Sequence, residues 1–262
     1  VLGFFASANR CQAVQLGAKR RTTRARSPVC ELPPEEFSGC QFGDERLGNR
    51  IKRIAVLIGQ KPNLSIPAAL ISRADIEACY RLFDNERVNP HRILQPHIAR
   101  TYQRIAEDQY VLLVQDTTEI DVTRPQQQVK GAGPMDCDSR RGAFFHPILA
   151  FDASGVPLGL VGQISWTREE LSQGTDQEKS EKRRKTPIEE KESYRWLQGF
   201  QAAQRVAVAC PRTTCVCVGD SESDIYDVFA AAAQSQQTNL HVLVRAGQKR
   251  NTTEQTDWAE QV

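Results

Sequence analysis

Two short apolar runs, each closed by an aspartate, constrain this chain more than any other feature. One is Tyr110-Val111-Leu112-Leu113-Val114-Gln115-Asp116; the other is Thr213 to Val218 followed by Gly219-Asp220. Continuous apolar runs of this length suit strands buried on both faces, which α/β folds cover with helices. Between them lie Ala143–Phe151 and Val156–Trp166, separated by Asp152-Ala153-Ser154-Gly155, a hairpin pattern. Lys191–Ala209 has helical spacing with Trp196, Phe200 and Ala203 facing inward, and Ile225, Val228 and Phe229 fall on a second helix. Leu240–Val244 reads as a last strand. The expected order is β, β, β, α, β, α, β. After a three-strand meander, a crossover brings the fourth strand parallel to the first and beside it. Asp116 and Asp220 would then meet at one sheet edge, where open α/β sheets place their sites.

Ahead of this region the period is helical. Leu47, Ile51, Ile54 and Ile58 recur at i, i+4, i+7 and i+11 behind Asp44, a capping residue. Arg46, Arg50 and Arg53 form a neighbouring basic stripe, suited either to solvent or to phosphates. Ser65 and Pro67 start another helix, and Ile76, Tyr80 and Phe83 make a further stripe. Asn89-Pro90 opens one with Ile93, His97, Ile98 and Ile105 inward. Charge divides the same way. Residues 1–109 hold 17 Lys and Arg against 11 Asp and Glu, and the remainder holds 17 against 21, so the net charge of +2 averages a basic front and an acidic back.

Other readings are narrowed by composition. A 40% hydrophobic content is too high for a disordered chain, and no apolar run approaches the roughly 20 residues of a membrane span. The eight cysteines show no C-x2-C pair, which leaves reduced structural thiols and a cytoplasmic location as the expectation. The four histidines are scattered and read as structural. The charged stretch Glu178–Lys185 reads as a mobile loop. Gly219-Asp220-Ser221 would suit a serine esterase, but His241 has Thr238 where an Asp is needed. An Asp-x-Asp phosphatase pattern fails at Asp116-Thr117-Thr118. Two carboxylates at one edge repel unless a cation lies between them, so Asp116 and Asp220 are candidate ligands for Mg2+ or Mn2+ and candidate catalytic residues. Glu222 and Asp224 are weaker candidates, otherwise caps of the next helix.

Six segments in colinear order resemble the insertion-sequence-four group of bacterial DDE transposases, which includes that of transposon five. They are Phe42–Arg50, Ala78–Asn85, the Asp-Thr-Thr at 116–118, Glu190–Ser193, Asp220–Tyr226 and Val242–Arg245. The resemblance implies an α/β fold, an RNase H-like mixed-sheet catalytic core preceded by a small all-helical DNA-binding domain. By this reading residues 1–40 are a leader, 41–108 bind transposon-end DNA, 109–250 form an incomplete core, and 251–262 begin an insertion domain. It also implies Mg2+-dependent cleavage and strand transfer on double-stranded DNA, at transposon ends and target, by a homodimer associated with the bacterial nucleoid. Arg46, Arg50, Arg53 and Arg245 would contact DNA phosphates. The family's third carboxylate, a Glu in a Tyr-x2-Arg-x3-Glu signature, is absent from this sequence. The expectation is therefore a C-terminally truncated, inactive form, or a non-catalytic remnant that binds DNA or inhibits an intact transposase.

Overall fold

The computed structural model describes residues 34–124, 129–137, 139–169 and 175–247. The expected leader through residue 33 and the segment 251–262 lie outside the described residues. Contacts divide the chain between Arg100 and Thr101, and each unit has its own core.

The first unit is helical. A 3-10 turn at Pro34–Phe37 precedes α1 (Glu45–Gln60), α2 (Ile66–Ala69), α3 (Arg73–Phe83) and the start of α4 (Pro90–Glu107). Asp44 caps α1 by accepting the Arg46 N–H, and Leu47, Ile51, Ile54 and Ile58 are buried as their spacing requires. On α3 the expected stripe is displaced. Cys79 and Leu82 are buried with Ile76 against them, while Tyr80 and Phe83 are 53% and 40% exposed. Ser72 caps α3 and sets this phase, since its hydroxyl accepts the Asp75 N–H. At the foot of the unit Glu36 reaches His97 at 2.6 Å, both buried.

The second unit is a seven-stranded mixed sheet. Its strands are β1 (Tyr110–Gln115), β2 (Thr118–Asp121), β3 (Gly133–Pro134), β4 (Arg141–Asp152), β5 (Pro157–Trp166), β6 (Thr214–Gly219) and β7 (Leu240–Val244). The path runs β2-β4-β1-β6-β7, with β3 and β5 also on β4. β1 is antiparallel to β4 but parallel to β6, and β6 is parallel to β7. The β4–β5 turn is closed by Asp152, whose Oδ1 accepts the Ser154 and Val156 N–H groups at 2.8 Å each, with Gly155 at φ 82°. Helix α6 (Tyr194–Ala209) buries Trp196, Phe200, Ala203, Val206 and Ala207, and α7 (Tyr226–Gln234) buries Val228.

The stretch expected as a loop is helical: α5 covers Asp176–Lys185. It lacks an apolar face, but Thr175 and Glu178 close a capping box and Lys185 reaches back to Glu181 at 2.6 Å. Local polar bonds replace the burial that a periodicity search relies on.

Candidate functional site

The register places three sequence-predicted residues at one level. β1 pairs Val114 with Val218 on β6, and β6 pairs Gly219 with Val244 on β7. Asp116, Asp220 and Arg245 each follow at the carboxyl end of their strand. The Arg245 N–H donates to the Gly219 carbonyl at 3.2 Å, so the ladder continues to that point. All three side chains are exposed, and none is in an ion pair among the described residues.

Both carboxylates are oriented by backbone. Oδ1 of Asp116 accepts the Thr117 N–H at 2.7 Å, and Oδ1 of Asp220 accepts the Glu222 N–H at 2.9 Å. Gly219 allows the sharp exit from β6, where an added Cβ would lie 2.4 Å from the Ser223 hydroxyl. The weaker candidates are engaged elsewhere. Glu222 pairs with Arg195 at 2.7 Å, and buried Asp224 accepts the Gly247 N–H at 2.8 Å.

Beneath the carboxylates runs a polar chain. Arg195 donates from Nε to the Thr117 hydroxyl at 2.8 Å and from Nη1 to the Glu192 carbonyl at 2.7 Å, besides its bond to Glu222. Its guanidinium lies 5.2 Å from the Trp166 ring centre and 5.7 Å from that of Trp196. Thr117 meets His146 Nδ1 at 2.9 Å, His146 Nε2 meets Gln115 Oε1 at 3.1 Å, and Gln115 donates to the Cys217 sulfur at 3.3 Å. His146 is fully buried edge-on to Trp196. Burial, aided by the Arg195 charge, lowers its pKa from 6.5 to about 4 and keeps it neutral. Burial also pushes the Cys217 thiol up to about 12, so it is no nucleophile at neutral pH. A lone histidine in an apolar run carried no sequence signal, and Arg195 was hidden in the first turn of a helix.

Glu192 is held by a two-pronged Arg168 bond that lowers its pKa. Arg168 in turn stacks 4.3 Å over Phe144. This clamp ties the end of β5 to the approach of α6.

In the helical unit the three predicted arginines differ. Arg46 binds Asp44 through two nitrogens, and Arg53 grips Asp75 at 2.8 and 3.2 Å. Arg50 is in no ion pair among the described residues. A separate open groove of about 980 Å³ is lined by Gln41, Phe42, Gly43, Arg87, His91, Arg92 and Gln95, with Gly39 at its side.

Cys40, Cys79, Cys137, Cys210, Cys215 and Cys217 are free thiols. Among the described residues no three His, Cys, Asp or Glu side chains cluster to hold a metal, and no helix is long and apolar enough to cross a membrane.

Residues 29–88 match the family model described as transposase DNA-binding. That match supports a transposase-type, DNA-binding protein. No curated protein matches the chain.

Proposed function

We propose that this chain is a transposase-type protein of the insertion-sequence-four group. Its helical unit binds transposon-end DNA, and its sheet is an RNase H-like core for phosphodiester cleavage and strand transfer. The observation that carries this reading is the level placement of Asp116, Asp220 and Arg245 on three adjacent parallel strands, behind a segment matching a transposase DNA-binding family. The order β5-β4-β1-β6-β7, with only β4 antiparallel to its neighbours, supports the RNase H-like assignment.

Asp116 and Asp220 fit a hard divalent cation in donor chemistry, since both are exposed carboxylates at one edge with no basic partner among the described residues. Mg2+ or Mn2+ held there would supply charge neutralisation at the attacked phosphodiester and a lowered pKa for the attacking hydroxyl. The residues provide the rest. Backbone N–H groups fix one oxygen of each aspartate. Arg245 is placed to contact the substrate phosphate. Arg195 holds Thr117 and Glu222 in place, so the loops bearing the two aspartates move together. Arg46, Arg50 and Arg53 are the duplex contacts on α1, with Arg50 the readiest because it need not leave a carboxylate.

The third carboxylate signature is not in these 262 residues. Two ligands hold a metal weakly, so the chain binds duplex DNA and nicks it slowly. Supercoiled plasmid with Mn2+ tests this. Slow nicking, lost in Asp116→Asn and in Asp220→Asn, is expected. Nicking that persists in both variants overturns the role of the pair, and efficient hairpin formation at DNA ends overturns the two-ligand account. The second reading, a non-catalytic DNA-binding protein, is favoured by the lack of a three-ligand cluster among the described residues. It predicts duplex binding with no nicking at all.

A further inference from the structure

The groove in the helical unit has a lining of one chemical kind. Two arginines, a histidine and two glutamines surround it, and among the described residues no carboxylate lines it. Four arginines elsewhere in this unit are paired with acids: Arg46 with Asp44, Arg53 with Asp75, and Arg73 and Arg81 with Glu77. Arg87 differs. Its backbone is fixed, with its N–H donated to Asn85 Oδ1 at 3.0 Å, while its guanidinium has no ion pair among the described residues. Asp44 feels the Arg87 charge, but its carboxyl is lowered first by its bonds to Arg46 and only last by Arg87.

Arg92 is anchored twice. Its N–H donates to Asn89 Oδ1 at 3.0 Å, and its Nη1 donates to the Arg87 carbonyl at 3.1 Å. That bond spends one of five guanidinium donors of a residue that lines the groove. His91 and Gln95 sit one turn apart and touch at 3.1 Å. The opposite wall is backbone. Gly43 has φ 75° with open space where a Cβ would stand, and a Cβ on Gly39 would lie 3.0 Å from that of Pro96. A ligand can therefore approach the main chain closely beside Arg87 and the anchored Arg92. The floor is buried Phe42.

We propose that this groove is a second binding site for the DNA backbone, in which Arg87 and Arg92 hold phosphates of the duplex. It rests on the DNA-binding reading of the helical unit but uses none of the arginines of α1. Its partner is a phosphodiester chain, because arginines in no ion pair among the described residues favour phosphate oxygens and an open groove admits a backbone.

The test is fluorescence anisotropy of a fluorescein-labelled, random-sequence DNA duplex, with the full chain, from about 50 to 200 mM salt. Arg87→Gln/Arg92→Gln should weaken binding about tenfold or more and reduce the log–log salt slope by about 1.8, two contacts at roughly 0.9 each. Arg87→Lys/Arg92→Lys should restore most of the slope, and Arg73→Ala, remote from the groove, should leave it unchanged. Circular dichroism and urea midpoints establish that each variant is folded. If the wild-type chain binds and the Gln pair binds with the same affinity and slope, the groove proposal is overturned while the DNA-binding reading stands. If the wild-type chain binds no duplex, the DNA-binding reading falls, and the groove falls with it.

Discussion

The two units handle charge in opposite ways. In the helical unit, beside the buried pair of Glu36 and His97, the exposed ionic groups pair locally, Arg46 with Asp44 two residues away and Arg73 and Arg81 with Glu77 on one helix face. Such exposed pairs contribute little to stability and are readily exchanged for another anion. In the sheet unit polar groups from distant segments join in one line, from exposed Glu222 through part-buried Arg195 and Thr117 to buried His146 and Gln115. Breaking a link at the buried end leaves a buried group unsatisfied, which is costly. The difference separates two tasks. A surface of exchangeable cations suits a long anionic partner, and a rigid network suits carboxylates that must keep their geometry.

Stability measurements can break this contrast. The largest effect is expected from Trp196→Ala, which empties the fully buried indole site between His146 and the Arg195 guanidinium; urea unfolding should show a loss of about 3 to 5 kcal/mol. Next comes acid sensitivity. His146 is neutral in the fold down to about pH 4, whereas in the unfolded chain it takes up a proton near 6.5. As pH falls from about 6.5 to about 4 the unfolded state binds the extra proton, so stability declines, by on the order of 3 kcal/mol. Above 6.5 the histidine contributes no pH dependence. His146→Gln should flatten that window, and an unchanged profile would remove the histidine from the account. Arg195→Met leaves the part-buried Thr117 hydroxyl without its donor, while exposed Glu222 turns to water, and should cost about 1 kcal/mol.

On the other side of the comparison, effects on stability should be small and effects on DNA visible. Arg50→Ala should lower the salt slope of duplex binding by about 0.9, one phosphate contact. Arg53→Ala should lower it less, because Arg53 must first leave Asp75. Equal slopes for both variants would mean that the ion pair does not hold Arg53 back.

Legibility in the sequence follows the same division. The central strands were readable because Val111–Val114 and Cys215–Val218 are apolar on both faces, and the hairpin because Asp152 to Gly155 is a turn with its own chemistry. The stripe on α3 was misplaced by one position because Tyr80 and Phe83 are large and apolar yet exposed, while the smaller Cys79 is fully buried. β2 and β3 are short, and β2 is polar, so neither had a pattern to find. Helix α5 is held by a capping box and charge pairs, which periodicity does not register. At the site, Asp116, Asp220 and Arg245 could be read as strand ends. The chain beneath them could not, because it joins residues as far apart as Gln115 and Cys217, and each alone looks like an ordinary core residue. The groove escaped notice for the same reason: Gln41 to Gly43 and Arg87 to Gln95 meet only in the fold.

In the proposed function Asp116 and Asp220 form one cation site, and duplex affinity comes from the helical unit without need of the cation. Titrating the chain with Mn2+ and following free Mn2+ by electron paramagnetic resonance tests it most directly, with duplex binding measured on the same samples. The account predicts weak Mn2+ binding that disappears in Asp116→Asn and in Asp220→Asn, with duplex affinity in EDTA unchanged in both variants. Mn2+ binding that survives either substitution would contradict it.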